Sequence, residues 1–408
     1  MNRSMSFEVD PSTLAVLPRL SVYGGGEFLD HQAPETKWLI PGLIPMGVPA
    51  VMASQPGLGK SYLFLQLCVA LATGKSFLGY EAQLPCAATY FGLEDSKDMF
   101  HRRVRSITDH YHYCGDWTAE DDKNFRKNFC APFVNWKSEG ATTFLPDLMP
   151  NLELILATYA ERGVPPGVMV IDTLARVSDG DENTVQGLRP VLNAASRLAE
   201  HGHTPILLHH VGKGQDGARN AKDKPTLTDR MSTDWIRGSG SIVGNFRCCL
   251  QFAKITEAEA ETAGLDVDDA RMGRVLVFGV TKTNGPVLGD WKVIVQDEGG
   301  RWSLHPRSLE VLAKIRGTKA VAALNKQMQV LNDIHGMRYS HELDRRALGA
   351  KHWPDKTPME ASNNLRGMIS KFKRLRYLTN SDPPKLTPLG LSQVQLTVTN
   401  TGCSSDDL

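Results

Sequence analysis

The 408-residue sequence has no long apolar run, no Cys-x-x-Cys pair and almost no net charge. Its most apolar stretches, at 38–53 and 62–72, are too short or too often broken by proline and glycine to span a bilayer. The first residues also lack the pattern of a signal peptide. We therefore expect a protein without membrane segments that resides in the cytoplasm.

The seven cysteines are not accompanied by histidines at the spacing of a zinc ligand set. This pattern favours neither a zinc site nor a disulfide framework, and it is typical of a reducing compartment. A hydrophobic content of 41% and a charged content of 22% are ordinary for a globular protein. The length suits one large domain or two domains.

The net charge of +1 conceals an uneven distribution. Residues 310–386 contain 15 Lys and Arg against 7 Asp and Glu, whereas the rest of the chain contains 31 against 38. The basic charge is therefore concentrated near the carboxyl terminus. This asymmetry indicates either a polyanionic partner for that part of the chain or a solvated basic face.

A glycine-containing loop lies between an apolar run at 49–53 and a helical pattern at 62–73. A strand, a tight loop and a helix start in this order direct backbone N–H groups and the helix dipole at a polyphosphate. The sequence therefore predicts a phosphate-binding loop followed by a helix. Its residues are Ser54, Gln55, Pro56, Gly57, Leu58, Gly59, Lys60 and Ser61, with Tyr62 directly after them.

Individual loop residues have separate predicted roles. Lys60 is expected to reach the β- and γ-phosphates of ATP, and the Ser61 hydroxyl suits Mg²⁺. Gly57 and Gly59 permit close approach of the backbone. Ser54 stands where the usual pattern has glycine, which is a departure from that pattern.

Two later apolar runs end in acidic residues. Asp172 ends the run 168–171, an arrangement in which the carboxylate binds the Mg²⁺ shell at the carboxyl edge of a sheet; the alternative is a strand-terminating cap. Glu94 follows the run 88–93 and is a candidate base for the water that attacks the γ-phosphate. The alternative for Glu94 is a solvated acid that starts a helix.

A further apolar run, 205–208, ends in His209 and His210. Adjacent residues of a strand point to opposite faces, so the two imidazoles are poorly placed to bind one metal ion. One of them is better interpreted as a polar sensor of the γ-phosphate, although the sequence does not distinguish which. A purely structural histidine at a strand end is the alternative.

Basic residues occur in the non-periodic segment 211–235 and beyond it. Lys213, Arg219, Lys222, Lys224 and Arg230 suit a DNA phosphate backbone, although four acids share that segment and plain disorder is the alternative. Arg237, Arg247 and Lys282 are candidates for cations that act on the nucleotide of a neighbouring subunit; each also suits a surface salt bridge.

Helical patterns at 319–334, 340–348 and 358–375 precede a short hairpin pattern at 377–386, which together indicate a winged-helix unit. On the last helix, Leu365, Ile369 and Phe372 belong to an apolar stripe, also containing Met368 and Leu375. The opposite face carries Asn363, Arg366, Ser370, Lys373 and Arg374. This face suits the major groove of duplex DNA, and protein docking is the alternative.

The order of these motifs over residues 36–300 resembles the RepA-type branch of RecA-like P-loop ATPases. The resemblance rests on the run Trp38–Gly47 that leads into the phosphate loop, followed by 93–95, 171–173, 180–183, 209–210, 237–239 and 282–284. It implies an α/β fold, hexameric rings with ATP and Mg²⁺ at subunit interfaces, and single-stranded DNA in the channel. It also implies the roles given above for Lys60, Glu94 and Asp172, for one of the two histidines and for the three cations.

We therefore predict four parts: an amino-terminal arm (1–35), a RecA-like ATPase domain (36–308), a winged-helix-like basic module (309–400) and a disordered tail (401–408). The predicted function is that of a ring-forming DNA helicase or translocase in the replication of a plasmid, phage or mobile element. One alternative is a DNA-stimulated ATPase that mediates recombination or loads a helicase without unwinding. Another is a DNA-binding regulator switched by nucleotide.

Overall fold

The computed structural model describes residues 25–30, 32, 35–80, 82, 84–132, 152, 156–157, 159–161, 163–177, 184–211, 225–236, 239–284, 291–334, 342–374 and 378. The chain divides into two units, 1–37 and 38–408. In the first unit, the described structure is one short helix, α1 (Gly25–Asp30). All elements discussed below belong to the second unit.

A nine-stranded sheet, in the order β11-β10-β9-β8-β3-β7-β6-β4-β5, organises the described part of the second unit. Strands β3 to β8 are parallel to one another, and β9, β10 and β11 extend the sheet in antiparallel fashion. The predicted α/β class, with a mostly parallel sheet and an antiparallel edge, is confirmed. The strands are β1 (Trp38–Ile40), β2 (Ile44–Pro45), β3 (Ala50–Ser54), β4 (Ala88–Gly92), β5 (Phe129–Cys130), β6 (Val168–Asp172), β7 (Thr204–His210), β8 (Cys248–Lys254), β9 (Val275–Thr283), β10 (Lys292–Gln296) and β11 (Trp302–Leu304).

The helices begin and end at residues that the local sequence favours. Ser96 and Thr118 accept hydrogen bonds at helix starts, and Gly74 and Gly264 end helices in the left-handed conformation. The helices of the second unit are α2 (Lys60–Thr73), α3 (Lys97–Tyr113), α4 (Ala119–Asn128), α5 (Val185–Glu200), α6 (Leu227–Arg230), α7 (Ser239–Asn245), α8 (Glu257–Ala263), α9 (Val267–Met272), α10 (Ser308–Arg316), α11 (Thr318–Ile334), α12 (Glu342–His352) and α13 (Pro358–Arg374).

Hydrophobic side chains cover both faces of the central sheet. On one face, α2 is buried along most of its length and packs with residues of β3, β7 and β8, among them Met52, Leu208 and Leu250. On the other face, α5 and α7 pack against a second set that includes Val51 and Leu207. Burial on both faces explains why the parallel strands are continuous apolar runs instead of alternating patterns.

The carboxyl-terminal helices have their own hydrophobic cluster, which includes Leu331, Leu348 and Leu365. Helix α12 continues to His352, beyond the predicted end at 348, and the imidazole of His352 lies 2.7 Å from the Asp333 carboxylate of α11. Residues 375–377 and 379–408 lie outside the described residues, so the predicted hairpin and tail, and with them the winged-helix unit, stay predictions.

Among the described residues, no helix has the length and apolar character that crossing a membrane requires.

Candidate nucleotide site

The residues from Ser54 to Ser61 join the end of β3 to the start of α2, as the sequence predicts. Gly57 and Gly59 both have a φ of 77°, a conformation that side chains with a Cβ rarely adopt. At Gly59 space is also limiting, because an added Cβ would lie 3.1 Å from Trp302 Nε1. Ser54 is the fully buried last residue of β3, and its carbonyl accepts a hydrogen bond from Val211 N.

Lys60 is only 5% exposed, and its ammonium lies among polar partners of the loop and of β7. Its Nζ donates to the carbonyl of Gln55 at 3.4 Å and lies 3.2 Å from His210 Nδ1. Burial lowers the pKa of Lys60 to about 8, although nearby Asp172 and Glu94 oppose the shift. His210 is thus on the side of Lys60, whereas His209 is fully buried on the opposite face with the α5 layer.

We expect nucleotide affinity to fall as the pH rises through the lowered pKa of Lys60. Below about pH 8 the Lys60 ammonium is already charged in the nucleotide-free protein. Above that pH, nucleotide binding also requires Lys60 to take up a proton. Calorimetric titration with ADP at about pH 7.5 and about pH 9.5 should show roughly tenfold weaker binding at the higher pH. Lys60→Arg should remove this dependence, because guanidinium stays charged. Equal affinities for the wild type at both pH values contradict this prediction.

Asp172 ends β6 and is 2% exposed, directly beside the phosphate loop. Its Oδ2 accepts a hydrogen bond from the Tyr90 hydroxyl at 2.7 Å, and the same hydroxyl lies 3.1 Å from the Ser61 carbonyl. Burial raises the pKa of Asp172, and hydrogen bonds from Ser61 and Tyr90 oppose that shift. Burial also raises the pKa of Tyr90, so its hydroxyl remains a donor.

The side-chain oxygens of Asp172 and Ser61 fit a magnesium ion. Asp172 Oδ1 is buried, and no hydrogen bond reaches it from the part of the chain that the structure describes. The Ser61 side chain is close enough to the same carboxylate to oppose the rise of the Asp172 pKa. Mg²⁺ prefers such oxygen ligands and completes its octahedron with water and phosphate. When bound, the ion would neutralise phosphate charge.

Glu94 follows β4 and lies next to the residues that follow β6. Its Oε1 accepts a hydrogen bond from Thr173 Oγ1 at 3.2 Å and lies 3.9 Å from Arg176 Nε. The Glu94 side chain is 44% exposed, so the pairing with Arg176 contributes little to stability. Its carboxylate is therefore held near Asp172 and is open to solvent, as a base acting on water requires.

Two of the three candidate cations lie in the described structure. They are at the amino-terminal end of the parallel strands β3 and β8, whereas the phosphate loop follows the carboxyl-terminal end of β3. Arg247 directly precedes β8 and is exposed, and its backbone N–H donates to Pro49 O before β3. Lys282 instead donates to the carbonyls of Val243 and Phe246 at the end of α7. The length of β3, roughly 16 Å for its five residues, separates this end from the phosphate loop. Arg237 lies outside the described residues.

The non-periodic segment has more structure at its end than the sequence indicates. Residues 212–224, with four of the five basic candidates, lie outside the described residues, but α6 and a 3₁₀ turn (Thr233–Trp235) follow. Arg230 is 6% exposed and donates to Pro225 O at 2.7 Å and to Glu259 at 2.5 Å. The expectation that Arg230 contacts DNA phosphates is therefore wrong, because its guanidinium has buried partners.

The predicted faces of the last helix are confirmed where the structure describes them. Leu365, Ile369 and Phe372 are buried, whereas Asn363, Arg366 and Ser370 on the opposite side are exposed. Lys373 is half-buried; the side chain of Arg374 and all of Leu375 lie outside the description. Whether this face contacts DNA stays a prediction.

Three residues near the loop were missed by sequence reasoning. Tyr90 contacts Asp172, and Gln66 of α2 binds the backbone of Trp302 with bonds of 2.8 and 3.1 Å. These bonds join residues that are 82 and 236 positions apart. The sequence offered one local signal for Tyr90. A tyrosine inside the predicted strand 88–93 would be buried, and a buried hydroxyl needs a hydrogen-bond partner.

Two comparisons with known proteins bear on the nucleotide site. Residues 18–216 match the model of a family described as "AAA domain". A solved structure of the ATPase domain of another protein is similar over 63% of this chain and 84% of that chain, with 13% identity and a TM-score of 0.41. The family match agrees with the predicted resemblance to ATPases over the part of the chain that contains the phosphate loop.

Proposed function

We propose that this protein uses ATP hydrolysis to move along single-stranded DNA. The match of residues 18–216 to the model of a family described as "AAA domain" supports this proposal. One contact carries this proposal. Val211 N donates to Ser54 O at 3.0 Å, so the residue directly before the basic segment 212–224 is bonded to the first residue of the phosphate loop. A shift of the loop on ATP binding or hydrolysis is thereby passed directly to the candidate DNA-binding segment.

In this function Lys60 binds the phosphates, while Asp172 and Ser61 hold the magnesium ion. Glu94 takes a proton from the attacking water, and His210 beside Lys60 senses the γ-phosphate. His210 and Asp172 end the adjacent strands β7 and β6, and Lys60 begins α2 after the loop that follows β3, which supports these roles. His209 then has a structural role on the buried face.

We propose that the active form is a ring, with a hexamer as the expected size. The cation candidates that the structure describes lie about one strand length from their own phosphate loop, as shown above. They therefore act in hydrolysis only if a second copy presents its nucleotide at this end of the strands. Exposed Arg247 fits this role better than Lys282, whose ammonium is bonded to the end of α7. Duplex DNA at the exposed face of α13 is a further proposed partner, and replication is the proposed process.

A forked DNA duplex with ATP tests the proposal. We expect strand displacement by the wild type and ATP hydrolysis that increases with added single-stranded DNA, with both activities absent in Lys60→Ala. Arg366→Ala should weaken duplex binding and leave the single-strand stimulation unchanged.

Stimulated hydrolysis without displacement would identify a recombination mediator or helicase loader instead. Hydrolysis that is insensitive to DNA would indicate a nucleotide-switched regulator. Either result contradicts unwinding of duplex DNA, and the second also contradicts movement along DNA.

A further inference from the structure

A row of side chains crosses the sheet beside the phosphate loop, on the face opposite α2. Ala53 of β3 pairs with His209 of β7 on one side and with Gln251 of β8 on the other. Residues paired in register on parallel strands point to the same face, and neighbouring strands are about 4.8 Å apart. Ala53 directly precedes Ser54, and Gln251 has no exposed surface.

The Gln251 amide is bonded on one side only. Its Nε2 donates to Ser232 O at 3.0 Å, whereas its Oε1 is buried and accepts no hydrogen bond from the residues that the structure describes. A buried polar atom without a partner is costly and requires a physical explanation. Within the described structure, the Gln251 amide is therefore held by its bond to Ser232.

Ser232 belongs to the segment 225–236, which connects the basic residues before it to Arg237 after it. Two contacts link this segment indirectly to β3, the strand that leads into the phosphate loop. One is the bridge between Val211 and Ile236, where Val211 N is bonded to Ser54. The other is the bond from Gln251 to Ser232.

A third contact ties the same segment to a different element. Arg230 pairs with Glu259 at the start of α8, away from the phosphate-loop strand. The segment is therefore attached at one point to α8 and at two points to residues that are bonded to β3 or lie on its neighbour β8.

We propose that Gln251 is a positioning residue that couples the nucleotide site to the segment 225–236. Its amide holds Ser232 in register with β3 through β8, so a shift of the phosphate loop moves the segment. Gln251 does this from the sheet face opposite Lys60. The inference rests on the proposed nucleotide site, but it does not require that the protein unwinds DNA.

Hydrogen exchange of the full-length protein tests the coupling. In the wild type, a non-hydrolysable ATP analogue with Mg²⁺ should slow amide exchange in residues 227–236 several-fold. In Gln251→Met, which has similar volume but no amide, most of that slowing should be lost. The dissociation constant for the analogue should change less than twofold, because Gln251 does not touch the phosphate loop residues that bind it.

Asn128→Leu is the matched control. Asn128 is a buried amide that donates to a backbone carbonyl, Ala72 O, at 2.9 Å, at the far end of α2. This variant should keep the full nucleotide-dependent slowing. If Gln251→Met does not fold, Gln251→Asn replaces it, because its amide is one methylene too short to reach Ser232.

The inference is overturned if the glutamine variant keeps the wild-type response, or if the wild type shows no nucleotide-dependent change in 227–236. A wild type whose ATP hydrolysis does not respond to single-stranded DNA would contradict the proposed function alone. The two failures are therefore distinguishable.

Discussion

Glu94→Gln is expected to bind ATP with nearly wild-type affinity and to lose roughly 10²–10⁴-fold in kcat, the usual contribution of a general base. Glutamine has the shape of glutamate and still accepts a hydrogen bond from Thr173, but it cannot take a proton from water. Equilibrium binding of ATP and steady-state hydrolysis with saturating single-stranded DNA measure the two effects separately.

The neighbouring acid is the control for this experiment. Asp95 is ion-paired with Arg103 of α3, so Asp95→Asn removes a similar charge that is already neutralised by another partner. We expect hydrolysis by Asp95→Asn to stay within a few-fold of the wild type. An unchanged rate in Glu94→Gln, or an equal loss in both variants, would show that Glu94 is not the base.

Lys60→Ala is expected to lower kcat by at least about 10²-fold, the cost of removing one preorganised donor to developing charge. Affinity for ATP should fall as well, because the ammonium is the one buried cation beside the loop in the described structure. Lys75→Ala is the control, since Lys75 is also largely buried but is paired with Asp116 and Asp121 at the far end of α2. The hydrolysis rate of Lys75→Ala should remain close to the wild-type rate. Normal turnover by Lys60→Ala would contradict the role of Lys60 in binding the phosphates.

The Lys60→Ala variant also reveals whether a cation of one subunit acts on the nucleotide of its neighbour. Lys60→Ala protein should be mixed in separate experiments with Arg237→Ala, Arg247→Ala and Lys282→Ala. A trans-acting cation should yield partial recovery of hydrolysis in the mixture, because an interface can form from the two intact halves. Among the described candidates, Arg247 is the one expected to produce recovery. Mixtures that stay inactive at every ratio argue against action between subunits.

Features that depend on neighbouring residues were predictable from the amino-acid sequence. The strand β3, the glycines of the loop and the helix α2 are adjacent in the chain, and their backbone conformations follow from local chemistry. Asp172 at the end of an apolar run was predictable in the same way, as were the buried and exposed faces of α13. Periodicity also indicated the class of the fold, because continuous apolar runs require burial on both faces.

The packing of distant parts of the chain, by contrast, sets which side chains are in contact. It placed His210 next to Lys60 and buried His209, since the direction of a strand's side chains depends on how that strand packs. It also bonded Arg230 to Glu259, Lys282 to the end of α7, and Gln251 to Ser232. These contacts join residues 19 to 39 positions apart. Charge and local pattern do not specify such partners, because they are fixed when the sheet and its helices pack together.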